Sequence, residues 1–221
     1  TAQVALWWVA VVAAVALMRA PSAAQMIMMA PIEAHYRVGG FDYLPPAGEG
    51  WRQVGSAPNE VHLVYAEVPE AEKVDFRLDL VIHAFDVEDP AAVPDAASLA
   101  RISHQQQAAK RKGALVALSD VVPVAGGQQL YTFTLVTRAP EGDVFESFYV
   151  GLAPDRSQYV VAKATTDDPA YEHAPFWQPL QESIVTLRYR KDSGEETNDE
   201  SGGEKKAESP SGVHSSADLT E

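Results

Sequence analysis

A chain of 221 residues that is 46% hydrophobic and 22% charged is neither a wholly disordered polymer nor a polytopic membrane protein. Its 17 Lys and Arg against 31 Asp and Glu give a net charge of -14, which argues against nucleic acid and anionic membrane surfaces, since both recruit clustered cations. The lack of cysteine excludes a disulfide framework, a thiol nucleophile and a thiolate metal site, leaving apolar burial to hold the fold.

Residues 4–18 (VALWWVAVVAAVALM) form an uncharged run too short for an ordinary membrane span but matched to a secretory signal core. Pro21 and the small residues Ser22-Ala23-Ala24 follow, so residues 1–24 are expected to be a signal peptide cleaved after Ala24. The alternative is an uncleaved N-terminal anchor with Arg19 at the membrane edge, and only then is a membrane a partner. Either reading puts the remainder outside the cytoplasm, in the periplasm or secreted. Residues 25–37 are expected to be a flexible segment and residues 38–190 the folded domain.

Within the domain, residues 41–46 read as an extended piece ended by Pro45-Pro46, and Gly48-Glu49-Gly50-Trp51 as a turn. Strand alternation follows through Val61, Leu63 and Tyr65. It is clearest over residues 76–85, where Phe76, Leu78, Leu80, Ile82 and Ala84 are apolar while Arg77, Asp79 and His83 occupy the opposite face. Residues 96–112 lack Pro and Gly, which predicts a helix with Leu99, Ile102 and Ala109 facing the sheet, a basic last turn of Lys110 to Lys112, and Gly113 as a left-handed stop. Four strands are predicted at 115–124, 129–138, 144–153 and 158–165, joined by short turn-rich connectors that make them antiparallel neighbours. Asp168-Pro169 opens a looser turn, and a second helix is expected from near Pro179, with Phe176, Leu180, Ile184 and Leu187 on its apolar face. From Lys191 the composition turns acidic, with three Lys against nine Asp and Glu and no aromatic residue, so residues 191–221 are expected to form a disordered tail.

This order predicts an α+β fold: a single antiparallel sheet of about six to seven strands packed with two helices. The opening Phe41-Asp42-Tyr43-Leu44-Pro45 with Gly50-Trp51, the intervening helix and the closing Phe176, Leu180, Ile184 and Leu187 resemble the PsbP/Mog-type α/β sandwich and related bacterial exported proteins. The resemblance implies a binding or assembly factor, and no functional residue carries over from it.

No phosphate-cradling loop, dinucleotide fingerprint, nucleophile elbow or His-Glu-x-x-His pair occurs in the chain. The acids at Asp86, Glu88, Asp89 and at Asp167, Asp168, Glu172 sit where strands end or helices begin, which assigns them to turns and caps. What remains is one constellation. Arg77, Asp79 and His83 share a strand face, with His62 a candidate neighbour from the preceding strand. Asp79 and His83 lie about 13 Å apart by strand rise, too far to share a metal without further ligands. The expectation is therefore an exported envelope protein, non-catalytic, binding a protein or small-molecule partner and no nucleic acid, with no cofactor. The alternative is a hydrolase or metal-dependent enzyme whose site is assembled from several strands.

Overall fold

Alternation of buried and half-exposed side chains along residues 75–86 sets the frame of the molecule. Leu78, Leu80, Ile82 and Ala84 are buried, while Arg77, Asp79 and His83 stay half-buried on the other face, as the two-residue period predicts. The computed structural model describes residues 30–67, 75–127 and 129–190, without the side chains of Glu67, Asp75 and Phe76. The apolar run at 4–18, the cleavage position at Ala24 and the acidic tail at 191–221 lie outside the described residues. In chain order the elements are β1 (Tyr36–Val38), β2 (Phe41–Tyr43), β3 (Trp51–Ala57), β4 (Glu60–Glu67), β5 (Asp75–Asp86), α1 (Ala96–Lys110), β6 (Leu115–Leu118), β7 (Val122–Pro123), β8 (Leu130–Ala139), β9 (Gly142–Leu152), β10 (Gln158–Thr166), α2 (Trp177–Ile184) and β11 (Arg188–Tyr189). No helix of the described residues is long and apolar enough to cross a membrane.

The fold is α+β, with a large antiparallel sheet ordered β3-β4-β5-β10-β9-β8-β6 and β7 also paired to β8. It therefore has eight strands where six to seven were expected. Residues 115–124 form two short strands, because Ser119 interrupts the run: its hydroxyl accepts the Thr134 amide at 2.7 Å while its own amide donates to the Thr134 carbonyl at 2.9 Å. Residues 51–57, whose start reads as a turn, form β3, and its first residue Trp51 is buried. The large sheet is also not alone. A three-stranded sheet ordered β1-β2-β11 packs its Tyr36, Val38, Phe41 and Tyr43 into the same core as α2. Residues 30–37, placed in the N-terminal segment by composition, thus include most of β1 and a bridge in which Ala30 exchanges two 3.0 Å backbone hydrogen bonds with Gln53.

Helix α1 covers one face of the large sheet. Asp95 caps it by accepting the Ser98 amide at 2.7 Å, and Leu99 and Ala100 are fully buried over Phe133 and Phe148, whose rings stack at 4.9 Å. Ile102 is half-buried. Ala109, expected to face the sheet, is exposed, because the helix ends at Lys110 and its closing contact is polar. Arg111 turns inward there. Its Nε and Nη2 donate to the two Glu146 carboxylate oxygens at 2.7 and 2.8 Å, and its Nη1 donates to the buried Gln107 side chain at 2.6 Å. The basic cluster is therefore partly a structural clamp, and Gly113, at φ +95°, makes the left-handed stop.

Helix α2 covers the opposite face. Asp168 accepts the Ala170 amide at 2.8 Å, a 3₁₀ turn spans Tyr171–His173, and the regular helix starts at Trp177 with Pro179 tolerated in its first turn. Phe176, Leu180, Ile184 and Leu187 are all buried, as their spacing predicts. The Ser183 hydroxyl lies 2.6 Å from both the Tyr43 hydroxyl and the Leu44 carbonyl oxygen, tying α2 to β2. Burial raises the Tyr43 phenol far above its ordinary pKa, so it stays neutral.

The Gly-Trp pair has a packing reason. Tyr65 is held between Trp51 and Phe176, with ring centroids at 5.6 and 5.4 Å, and its ring lies flush on Gly50. A Cβ at Gly50 would meet Tyr65 ring atoms at 2.3 to 2.9 Å. Gly50→Ala is accordingly expected to cost about 1–3 kcal/mol in overpacking, read as a lower urea midpoint with an unchanged slope.

Candidate functional site on the β4 and β5 face

Cross-strand register decides which polar side chains meet. Glu60 pairs with His83, His62 with Val81 and Val64 with Asp79 between β4 and β5, while His83, Val81 and Asp79 pair with Val161, Lys163 and Thr165 of β10. Opposed residues share a face, so Glu60, His62, Asp79, His83 and Lys163 rise from one side of the sheet. Two histidine–carboxylate pairs form there. His62 Nε2 lies 2.5 Å from Asp79 Oδ1, with the side chains 22% and 29% exposed, and His83 Nδ1 lies 2.8 Å from Glu60 Oε2, with 23% and 39% exposed.

The second pair continues into an aromatic ladder. The His83 ring stacks on Phe85 at 4.1 Å, and Phe85 stacks on Tyr159 at 4.9 Å. The Tyr159 hydroxyl is buried without a hydrogen-bond partner among the described residues, and this desolvation pushes its pKa far up. Farther along the face, Lys163 Nζ reaches Glu146 Oε1 at 3.9 Å, joining the carboxylate already held by Arg111. The face thus runs from two half-exposed pairs to a buried ionic clamp beneath α1.

Of the four residues singled out in the sequence, His62 and Asp79 are in direct contact and His83 stands on the same face. Arg77 lies on that face at the start of β5, where its carbonyl accepts the Thr166 hydroxyl at 2.7 Å. The partner that sequence reasoning missed is Glu60. Its signal was present, since it lies two residues before His62 in an alternating segment, but its pairing with His83 depends on register. Elsewhere, Asp89 accepts the Ala91 amide at 3.0 Å, Asp168 serves the turn before α2, and His104 bonds the Ser119 carbonyl at 3.0 Å, all local duties.

A carboxylate on an imidazole orients the ring and is the arrangement of a general base. Among the described residues, however, no hydroxyl is hydrogen-bonded to His62 or His83, and no group of three or more His, Cys, Asp and Glu is placed to hold a metal ion. Two concavities lie elsewhere, one lined by Phe41, Leu130, Gly151, Val160 and Tyr189 and the other by Pro31, Ile32, Glu49, Trp51 and Arg52. What the geometry offers is a firm strand surface bearing fixed charges of both signs.

The class defined by these features is an α+β protein with a two-sided core and a half-exposed sheet face bearing two histidine–carboxylate contacts. No protein-family model matches the chain, and no curated protein is significantly similar to it. Similar solved structures include the Saccharomyces cerevisiae Ran-binding protein Mog1p, 12% identical with a TM-score of 0.46 over 70% of this chain and 95% of that one. A mutant of protein Mog1 is 12% identical with a TM-score of 0.45, covering 72% and 97%. A protein from Bacteroides thetaiotaomicron VPI-5482 is 13% identical with a TM-score of 0.43, covering 72% of this chain and 48% of that one, so this chain spans about half its length.

Proposed function

We propose that the chain is an exported, non-catalytic binding or assembly module of the PsbP/Mog type, and that it engages a protein partner through the β4 and β5 face. The observation that carries the reading is the side-by-side placement of the His62–Asp79 and His83–Glu60 pairs, half-exposed on paired strands. Charged groups held on a rigid sheet give a partner orientation and specificity with little ordering entropy to overcome. Export rests on the apolar run at 4–18 and Ser22-Ala23-Ala24.

The test replaces Ala57, exposed beside Glu60 at the end of β3, with a photoreactive amino acid in the exporting cell and identifies the crosslinked protein by mass spectrometry. In that background Arg77→Ala, His62→Ala and His83→Ala are expected to lower crosslink yield about tenfold, the loss of about 1.4 kcal/mol of binding, with melting temperatures within a few degrees of the parent. Yields unaffected by all three variants would return these residues to an ordinary polar sheet face. Export is checked separately, since N-terminal sequencing of the exported chain should begin at Gln25.

A further inference from the structure

The segment before β1 frames a groove that the β4 and β5 face does not use. Ala30 bridges Gln53 in the antiparallel sense, so the residues after it run back along the start of β3, Pro31 beside Arg52 and Ile32 beside Trp51. With the turn before β3 they form an open groove of about 510 Å³, lined by Pro31, Ile32, Gly48, Glu49, Trp51 and Arg52. That volume lies within the range of small-molecule clefts, about 300–1,000 Å³. The walls are largely apolar. Ile32 packs on the core, the buried Trp51 forms the floor, and Gly48 sets no side chain over the Trp51 ring edge, where a Cβ would stand 3.9 Å from Cδ1.

Two groups in this setting carry opposite charges that are not matched to each other. Arg52 Nη1 donates to the carbonyl oxygens of Glu49 and, at 2.7 Å, of Trp51, which fixes the guanidinium at the groove. The bond to the carbonyl of Glu49 keeps the guanidinium within one residue's reach of the Glu49 carboxylate. The two nevertheless form no ion pair, and neither has a charged partner among the described residues. We infer that this groove binds a free, apolar α-amino acid of about leucine size. The ligand carboxylate takes Arg52 Nε and Nη2 as a fork, the ammonium takes the Glu49 carboxylate, and the side chain lies against Pro31, Ile32 and Trp51. A zwitterion answers both charges with groups on one carbon. A simple acid is repelled by Glu49 and a simple amine by Arg52. No lining residue belongs to the β4 and β5 pairs, so the outcome does not depend on a protein partner binding there.

Isothermal titration of the full chain with L-leucine tests this. Glycine, 4-methylpentanoate and 3-methylbutylamine lack in turn the side chain, the ammonium and the carboxylate of leucine, and each is expected to bind at least about tenfold more weakly. Glu49→Gln is expected to lower leucine affinity about tenfold with the melting temperature unchanged, because Glu49 is exposed and its side chain is bonded to no described residue. Arg52→Met should lower it at least as much, with its fold verified by thermal unfolding. Absence of leucine binding overturns the inference. So does equal affinity for leucine and glycine, an unchanged affinity in Glu49→Gln, or tighter binding of leucyl-leucine, which would make the groove a peptide site.

Discussion

Leu80→Asp is expected to unfold the domain, or to cost several kcal/mol, while Asp79→Ala one residue away costs about 1 kcal/mol or less. Leu80 is fully buried at the centre of β5, within the core formed with α2 and the three-stranded sheet. A carboxylate there has neither water nor a cation, and the total stability of a domain this size is about 5–15 kcal/mol, so one such group can exhaust it. Asp79 faces the other way. Its removal forfeits the His62 contact, but both groups are partly exposed and water replaces the bond. Circular dichroism with urea titration distinguishes the two, and equal destabilisation by both would refute the one-sided strand.

Glu146→Ala should be the most damaging change to a charged residue, at about 3–5 kcal/mol. Glu146 is 7% exposed and receives both Arg111 hydrogen bonds and the Lys163 ammonium, while the Arg111 guanidinium lies over the Phe148 ring at 5.8 Å. Removing the carboxylate leaves two cations in a poorly hydrated layer beneath the end of α1. Replacing both sides of the clamp, as in Glu146→Leu with Arg111→Met, is expected to recover much of the loss, because uncompensated charge and not the pair itself dominates the cost. A double-mutant cycle measured by chemical denaturation checks this, and a double variant as unstable as the sum of its singles would rule it out.

The elements legible in the sequence are those with enough residues to show a period. β5 alternates over ten positions, α1 runs uninterrupted between Asp95 and Gly113, and the 130–166 hairpins are spaced by turn formers. The three-stranded sheet was not legible, because β1, β2 and β11 offer two or three residues each and form only when distant segments meet. β3 was hidden behind the turn at Gly48-Glu49-Gly50, where Gly48 takes φ +119° and Gly50 leaves the room that Tyr65 needs, and only Trp51 passes from the expected turn into the strand. For the site, one face of β5 was readable from parity. The Glu60 and His83 contact was not, since parity assigns a side chain to a face and leaves open how far one strand is slid along the next.

The small sheet also governs how the domain takes a load from its ends. β1 enters with Tyr36 beside Tyr43, and β11 leaves with Tyr189 beside Phe41, at opposite ends of the shared middle strand β2. Tension applied through the two ends of the domain therefore pulls β1 and β11 in opposite directions along β2. Their ladders are sheared together, together with the Arg190 amide bond to the Gly40 carbonyl at 2.8 Å, instead of being peeled one pair at a time. The first and last described strands are thus joined through β2 in a shear geometry, with the Ala30 and Gln53 bridge lying upstream of β1.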